Sequence, residues 1–189
     1  MNDLYVVENV ISKETCKIIA KELRITRDCV LYPNHENKVR GDDIVENSFS
    51  FYSPLCMEAL ADAIVKDIVE DVTGDKLYNS YTYGRISYHN AILPKHRDGA
   101  KSDYSVSMLI DSDHEWPIYI NNGEENKIVQ KPGDMVIYNG NTSEHWREPY
   151  EGKEYLSSFM FFVKDKYREF EGRPLQGMPY VKENDPNLI

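Results

Sequence analysis

Between residues 77 and 163 the chain is a succession of short β-rich segments with turn clusters and no helical periodicity between them, a pattern that leaves few folds open. Segments 81–88, 104–110, 117–120, 127–130, 134–138 and 155–163 are rich in Tyr, Val, Ile and Phe. NNGEEN, KPGD and NGNTSE separate several of them, supplying the Gly, Pro, Asn and Asp that tight turns select. Short strands without crossover helices close on themselves as an antiparallel barrel or jelly roll.

Helices precede this region. Ser12 is a good N-cap for a helix over 13–23, with Ile11 and Cys16 spaced as a hydrophobic staple. Cys16, Ile19, Ala20 and Leu23 form its apolar stripe. Ser53-Pro54 opens a second helix, carried by Leu60, Ile64, Ile68 and Val72 and stopped by Gly74. Elements in this order predict a mainly β, α+β domain with its helices on one outer face. The expected organisation is one domain: 1–76 as helical support and rim, 77–163 as barrel core, and 164–189 as a charged, Gly- and Pro-containing tail. The polar stretch 24–53 reads as a functional loop or weak strands. With the 99–103 and 111–116 loops it is the expected substrate rim.

Composition narrows the functional classes. The 189 residues are 41% hydrophobic and 12% aromatic, as in ordinary globular domains. No apolar run approaches the roughly 20 residues of a membrane helix. The start, MNDLYVVENV, carries no secretory pattern, so an intracellular, cytoplasmic protein is expected. Three cysteines (Cys16, Cys29, Cys56) with no C-x-x-C pair argue against a disulfide framework and a thiolate zinc site. A formal charge of −10 disfavours nucleic acid as partner, because a duplex is met by a basic face. The expected partner is a peptide, a protein side chain or a small molecule, neutral or cationic. Oligomeric state is left open.

The sharpest chemical signal is LPKHRDG. His96 and Asp98 are two apart, so at a strand end both side chains leave one face. A third ligand must come from elsewhere, and His145, in the turn after segment 134–138, is the natural candidate. Two imidazoles and one carboxylate on one octahedral face leave three positions open, the arrangement of non-haem Fe(II) oxygenases. A hydrolytic zinc site fits the same three ligands.

Residues 77–163 resemble the double-stranded β-helix core of the prolyl-4-hydroxylase-like Fe(II)/2-oxoglutarate oxygenases. The resemblance runs through YTYGRISYHNAILPKHRD, YSVSMLID, KPGDMVIYNGNTSEHWREPYEG and a final aromatic strand. It includes Tyr88 before H-x-D, Pro132-Gly133-Asp134 before the distal His, and Gly152 after it. VENVISKETCKIIAKEL is similar to the support helix that precedes such barrels. The resemblance implies Fe(II) on His96, Asp98 and His145, with 2-oxoglutarate and O2 as cosubstrates. It also implies hydroxylation of a C–H bond, prolyl peptides among the possible substrates, with release of succinate and CO2. A catalytically silent barrel that only binds, or a zinc-dependent cupin-like hydrolase, are the rival readings.

One departure concerns the cosubstrate. The family anchors the distal carboxylate of 2-oxoglutarate with a cation about nine or ten residues after the second His; those positions are Glu154 and Tyr155. Lys153 and Arg147 are the candidate anchors, with Arg85 third because alternation turns it away from Tyr88. Tyr88 and Ser158 are expected to assist. His35, His89, His114 and Arg97 read as polar surface residues, Asp134 as a turn residue, and Trp116 and Trp146 as core or rim packing.

Overall fold

The computed structural model describes residues 4–31, 45–52, 54–99 and 102–169. Its strands are β1 (Leu4–Val7), β2 (Ser48–Tyr52), β3 (Tyr78–Tyr88), β4 (Leu93–His96), β5 (Tyr104–Ser112), β6 (Ile118–Asn121), β7 (Glu125–Ile128), β8 (Met135–Tyr138), β9 (Glu144–Arg147) and β10 (Glu154–Val163). They form a six-stranded sheet in the order β1-β8-β5-β10-β3-β2 and a four-stranded sheet in the order β4-β9-β6-β7. Every pairing is antiparallel. This is the jelly-roll architecture of a double-stranded β-helix, as the segment pattern predicts. β2 falls in the 24–53 stretch, where weak strands are one expectation; the strands without a sequence forecast, β1, β4 and β9, are all short. β4 (LPKH) and β9 (EHWR) carry no apolar alternation at all.

Helix α1 (Lys13–Leu31) begins where the cap predicts, with the Thr15 amide donating to Ser12 Oγ at 3.1 Å. It runs well past Leu23 into the stretch expected to be irregular. Ion pairs hold the extension: Arg24 reaches Asp111 and Glu154 at 2.8 and 2.9 Å, and Arg27 reaches Glu154 at 2.7 Å. Apolar periodicity therefore misses it. The second helix is α2 (Leu55–Leu60), a π-helical turn (Ala61–Val65) and α3 (Lys66–Thr73). Ser53 lies outside the described residues, but Gly74 stops the helix as expected, left-handed at φ 74°. The forecast stripe is rotated. Met57, Ala61, Val65 and Val69 are fully buried, whereas Ile64 is 40% exposed. A four-residue spacing drifts around a helix of 3.6 residues per turn, and the wider π turn offsets that drift.

The helices cover the outer face of the large sheet. Leu23, Met57, Val65 and Val69 pack with Ile86, Met108, Leu156 and Met160 in one apolar cluster. Between the two sheets, Ile118 and Ile120 of β6 meet Val136 and Tyr138 of β8. A further inner cluster holds Leu93, Leu109, Trp116, Tyr150 and Tyr155. Alternation along β10 thus sends Leu156 and Met160 to the helices, and Tyr155, Ser157 and Phe159 into the barrel. Among the described residues no helix is long and apolar enough to cross a membrane. Cys16 and Cys56 are free thiols; the Cys29 side chain lies outside the description.

Candidate metal centre

β4 and β9 pair antiparallel with His96 directly opposite His145. His145 is therefore a strand residue and not, as its TSEHW surroundings suggest, part of a turn. The pairing brings the two imidazoles together, tilted by 51° with centroids 4.2 Å apart. Asp98, just past the end of β4, completes the group: its Oδ1 lies 3.8 Å from His96 Nε2 and 3.6 Å from His145 Nε2. One ligand atom from each residue falls within 4.8 Å of the others.

The backbone around each ligand sets its chemistry. His96 Nδ1 lies 2.9 Å from the Pro94 carbonyl, and His145 Nδ1 lies 3.1 Å from the Ser143 carbonyl. A carbonyl only accepts, so each Nδ1 carries the proton and each Nε2 lone pair faces the shared space. Burial holds the His145 pKa below its ordinary value, and His96 and Arg147 push the same way against the opposing Asp98. A neutral imidazole is the form that ligates a metal. Ser105 donates to Asp98 Oδ2 at 2.5 Å, and the Asp98 amide donates to the Gly140 carbonyl at 2.9 Å. A β-carbon at 140 would overlap Asp98 Oδ2 and crowd Ser105 Oγ, so only glycine admits the carboxylate.

Ser105 and Gly140, which hold Asp98, are positions that the sequence pattern did not single out. A signal existed for the first: in YSVSMLI the serines alternate with apolar residues, which puts Ser105 and Ser107 together on one face of β5. Gly140 gives no such signal, since NGNT reads as an ordinary turn. The phenols of Tyr81 and Tyr138 also sense the Asp98 charge, and burial, the larger cause, pushes both pKa values up.

The residues proposed for the cosubstrate separate. Tyr88 sits on the helix side of β3, where its OH accepts a hydrogen bond from Arg27 at 3.2 Å. Ser158 sits on that same side, paired with Gly84 and Met108 between Leu156 and Met160. Strand alternation therefore removes both from the barrel interior, a correction to the expectation that they assist the cosubstrate. Lys153 is exposed in the turn before β10, its amide donating to Asp113 at 2.9 Å. Glu154 turns outward to Arg24 and Arg27. Arg85 does face opposite to Tyr88, and that face is the interior one, where its guanidinium lies 5.3 Å from the ring centres of both Tyr83 and Phe159.

Arg147 is on β9 two residues beyond His145, on the same face, and only 3% exposed. It donates to the Trp116 carbonyl, to Tyr155 OH at 3.3 Å and to Gln130 Oε1 at 3.2 Å. Its guanidinium packs beside the edge-to-face pair of Trp116 and Tyr155, 5.1 and 4.9 Å from their ring centres. Trp116 is thus core packing. Trp146 stacks on Tyr119 across the outer face of the small sheet, with Lys95 Nζ 4.0 Å above it. His89 and His114 are surface residues and Arg97 is exposed; His35 lies outside the described residues. Asp134 fastens its turn by accepting from the Asn9 and Lys131 amides at 3.0 and 2.8 Å.

The sequence matches no protein-family model and no curated protein. The structure is similar to solved ones. A prolyl-4-hydroxylase from Pseudomonas putida aligns at a TM-score of 0.64 and 14% identity over 87% of this chain and 94% of that one. HygX from Streptomyces hygroscopicus, solved with nickel and 2-oxoglutarate, aligns at 0.65 and 10% over 87% and 84%. The non-haem α-ketoglutarate-dependent epimerase SnoN of nogalamycin biosynthesis aligns at 0.64 and 10% over 95% and 87%. At these identities the likeness shows the fold, that of the Fe(II)/2-oxoglutarate oxygenases.

Proposed function

We propose that this chain is an Fe(II)- and 2-oxoglutarate-dependent oxygenase whose iron is held by His96, Asp98 and His145. The observation that carries the reading is the convergence of two Nδ1-protonated imidazoles and one hydroxyl-braced carboxylate on one point of the barrel. The donor set fits a divalent iron that keeps three positions open for a chelating oxo acid and dioxygen. When bound, iron with its cosubstrates supplies the oxidising chemistry. The protein's own residues do the rest. Pro94 and Ser143 carbonyls fix the imidazole tautomers, Ser105 and Gly140 hold Asp98, and the Tyr138 ring packs edge-on against His145.

The reaction class we infer is hydroxylation of a C–H bond in a peptidyl or small-molecule substrate. The neighbours include prolyl hydroxylases, HygX with hygromycin B bound and an epimerase, so the fold alone does not choose among substrates. The net charge of −10 supports a neutral or cationic substrate over a polyanion. The test is succinate release by Fe(II)-loaded protein under oxygen, alone and with panels of prolyl peptides, amino acids and small metabolites. No succinate above an Asp98→Ala control in any panel, together with zinc-supported hydrolysis, would replace this reading with the hydrolytic one.

A further inference from the structure

We propose that Arg147 binds the distal carboxylate of a five-carbon 2-oxo diacid whose other end chelates the metal, an assignment that rests on the function proposed above. The cation for this carboxylate then comes from β9, beside the second histidine, and not from the start of β10.

The first ground is charge. A guanidinium stays protonated in any protein, and burying it without a counter-charge is expensive. Arg147 is nearly fully buried, yet its hydrogen-bond partners are a peptide carbonyl, a phenol and an amide, all neutral. Among the described residues no carboxylate lies within ion-pairing distance of it. Three of its five N–H groups are used; Nε–H and one Nη2–H remain, the pair that grips a carboxylate side-on. A dianion in the barrel supplies the missing charge.

The second ground is position. Two strand steps from His145 to Arg147 advance about 7 Å on one face, a span suited to a ligand fixed at the metal by one end and at the guanidinium by the other.

The third ground is unused hydrogen-bonding capacity. The hydroxyls of Ser107 and Ser87 are buried and have no partner. Ser107 is two residues along β5 from Ser105, the residue that braces Asp98, and faces the same way. Ser87 pairs with Tyr155, whose OH receives Arg147. Buried polar groups thus lie on the strands that flank both the metal ligands and the guanidinium.

The experiment titrates Mn(II)-loaded protein by calorimetry with 2-oxoglutarate and, separately, with pyruvate, which keeps the oxo-acid end and lacks the distal carboxylate. Wild type is expected to prefer 2-oxoglutarate by roughly 10- to 150-fold, the worth of a charge-assisted hydrogen bond. Arg147→Gln should erase that preference by weakening 2-oxoglutarate alone, with pyruvate unchanged within about 3-fold. Arg147→Lys should restore part of it. Ser107→Ala, which cannot unseat the buried cation, should weaken 2-oxoglutarate by about 2- to 10-fold and keeps the question open to test should Arg147→Gln not fold. A preference intact in Arg147→Gln, or lost in Arg85→Gln or Lys153→Gln instead, overturns the assignment. If wild type with metal bound takes up neither oxo acid, the oxygenase reading fails and this inference with it.

Discussion

Asp98 and Gly140 meet twice: the Asp98 amide donates to the Gly140 carbonyl at 2.9 Å, and Asp98 Oδ2 fills the space that a side chain at 140 would need. The NGNT turn is thereby part of the candidate metal centre. Gly140→Ala is expected to push the carboxylate off Ser105 and to lower Mn(II) affinity by about 10- to 100-fold, the range for losing a group that orients a metal ligand. Calorimetry with Mn(II), alongside circular dichroism to confirm the sheets, measures this. Undiminished affinity in the alanine variant would sink the role given to the turn.

His96→Ala and Asp98→Ala should each abolish stoichiometric binding of Fe(II), Mn(II) or Co(II). Metal that binds only the folded state stabilises it by about 2.7 kcal/mol at a hundredfold excess over Kd. Wild type should therefore melt higher with metal than with a chelator, and both variants should melt at one temperature in either condition. A metal-dependent rise that survives in the double variant would place the metal elsewhere.

Glu154 bridges α1 to the barrel, holding Arg24 at 2.9 Å and Arg27 at 2.7 Å, with each partner partly shielded from water. Glu154→Ala leaves both guanidinium groups short of an acceptor. Hydrogen bonds to charged groups contribute about 1.5–3 kcal/mol, less where water screens them, so a loss of about 1–2 kcal/mol in urea unfolding is expected. Affinity for 2-oxoglutarate should not change, because Glu154 faces the helix and not the interior. A large change in cosubstrate affinity would contradict that orientation.

Asp113 clamps the turn into β10 by accepting from Tyr150 OH at 2.7 Å and from the Lys153 and Glu154 amides at 2.9 and 3.1 Å. The Tyr150 hydrogen bond is the largest cause that lowers its pKa from 3.8 to about 2. A carboxyl group with a lowered folded pKa adds stability above its unfolded pKa and loses it as pH falls towards the folded one. Wild type should therefore lose urea resistance between about pH 4 and 2, and Asp113→Asn should lose less over that interval. Equal slopes for the two proteins would show that the clamp carries no linkage.

The parts of the fold that were legible in the sequence are those where one-dimensional periodicity reports burial. The six forecast strands, the Ser12 cap and the Gly74 stop all depend on a residue's own propensity and near neighbours. The extension of α1 to Leu31 escaped because Arg24 and Arg27 are held by charges on β5 and β10, at least 87 positions away in the chain. β4 and β9 escaped because strands this short, carrying metal ligands and a buried cation, lack the apolar alternation that marks a strand.

The site divides along the same line. Sequence alone supplied the candidate ligands, the two-residue step that puts His96 and Asp98 on one face, and the barrel in which a distant histidine can return to them. Only the tertiary structure decided which face of each strand is the interior. A strand's alternation separates its two faces but does not say which one meets the second sheet. Tyr88 and Ser158, read as interior, therefore belong to the helix side, and Arg147 rather than Lys153 lies beside the metal ligands. Whether a charge is buried without a partner depends on residues brought together from across the chain, and no spacing within the sequence encodes it.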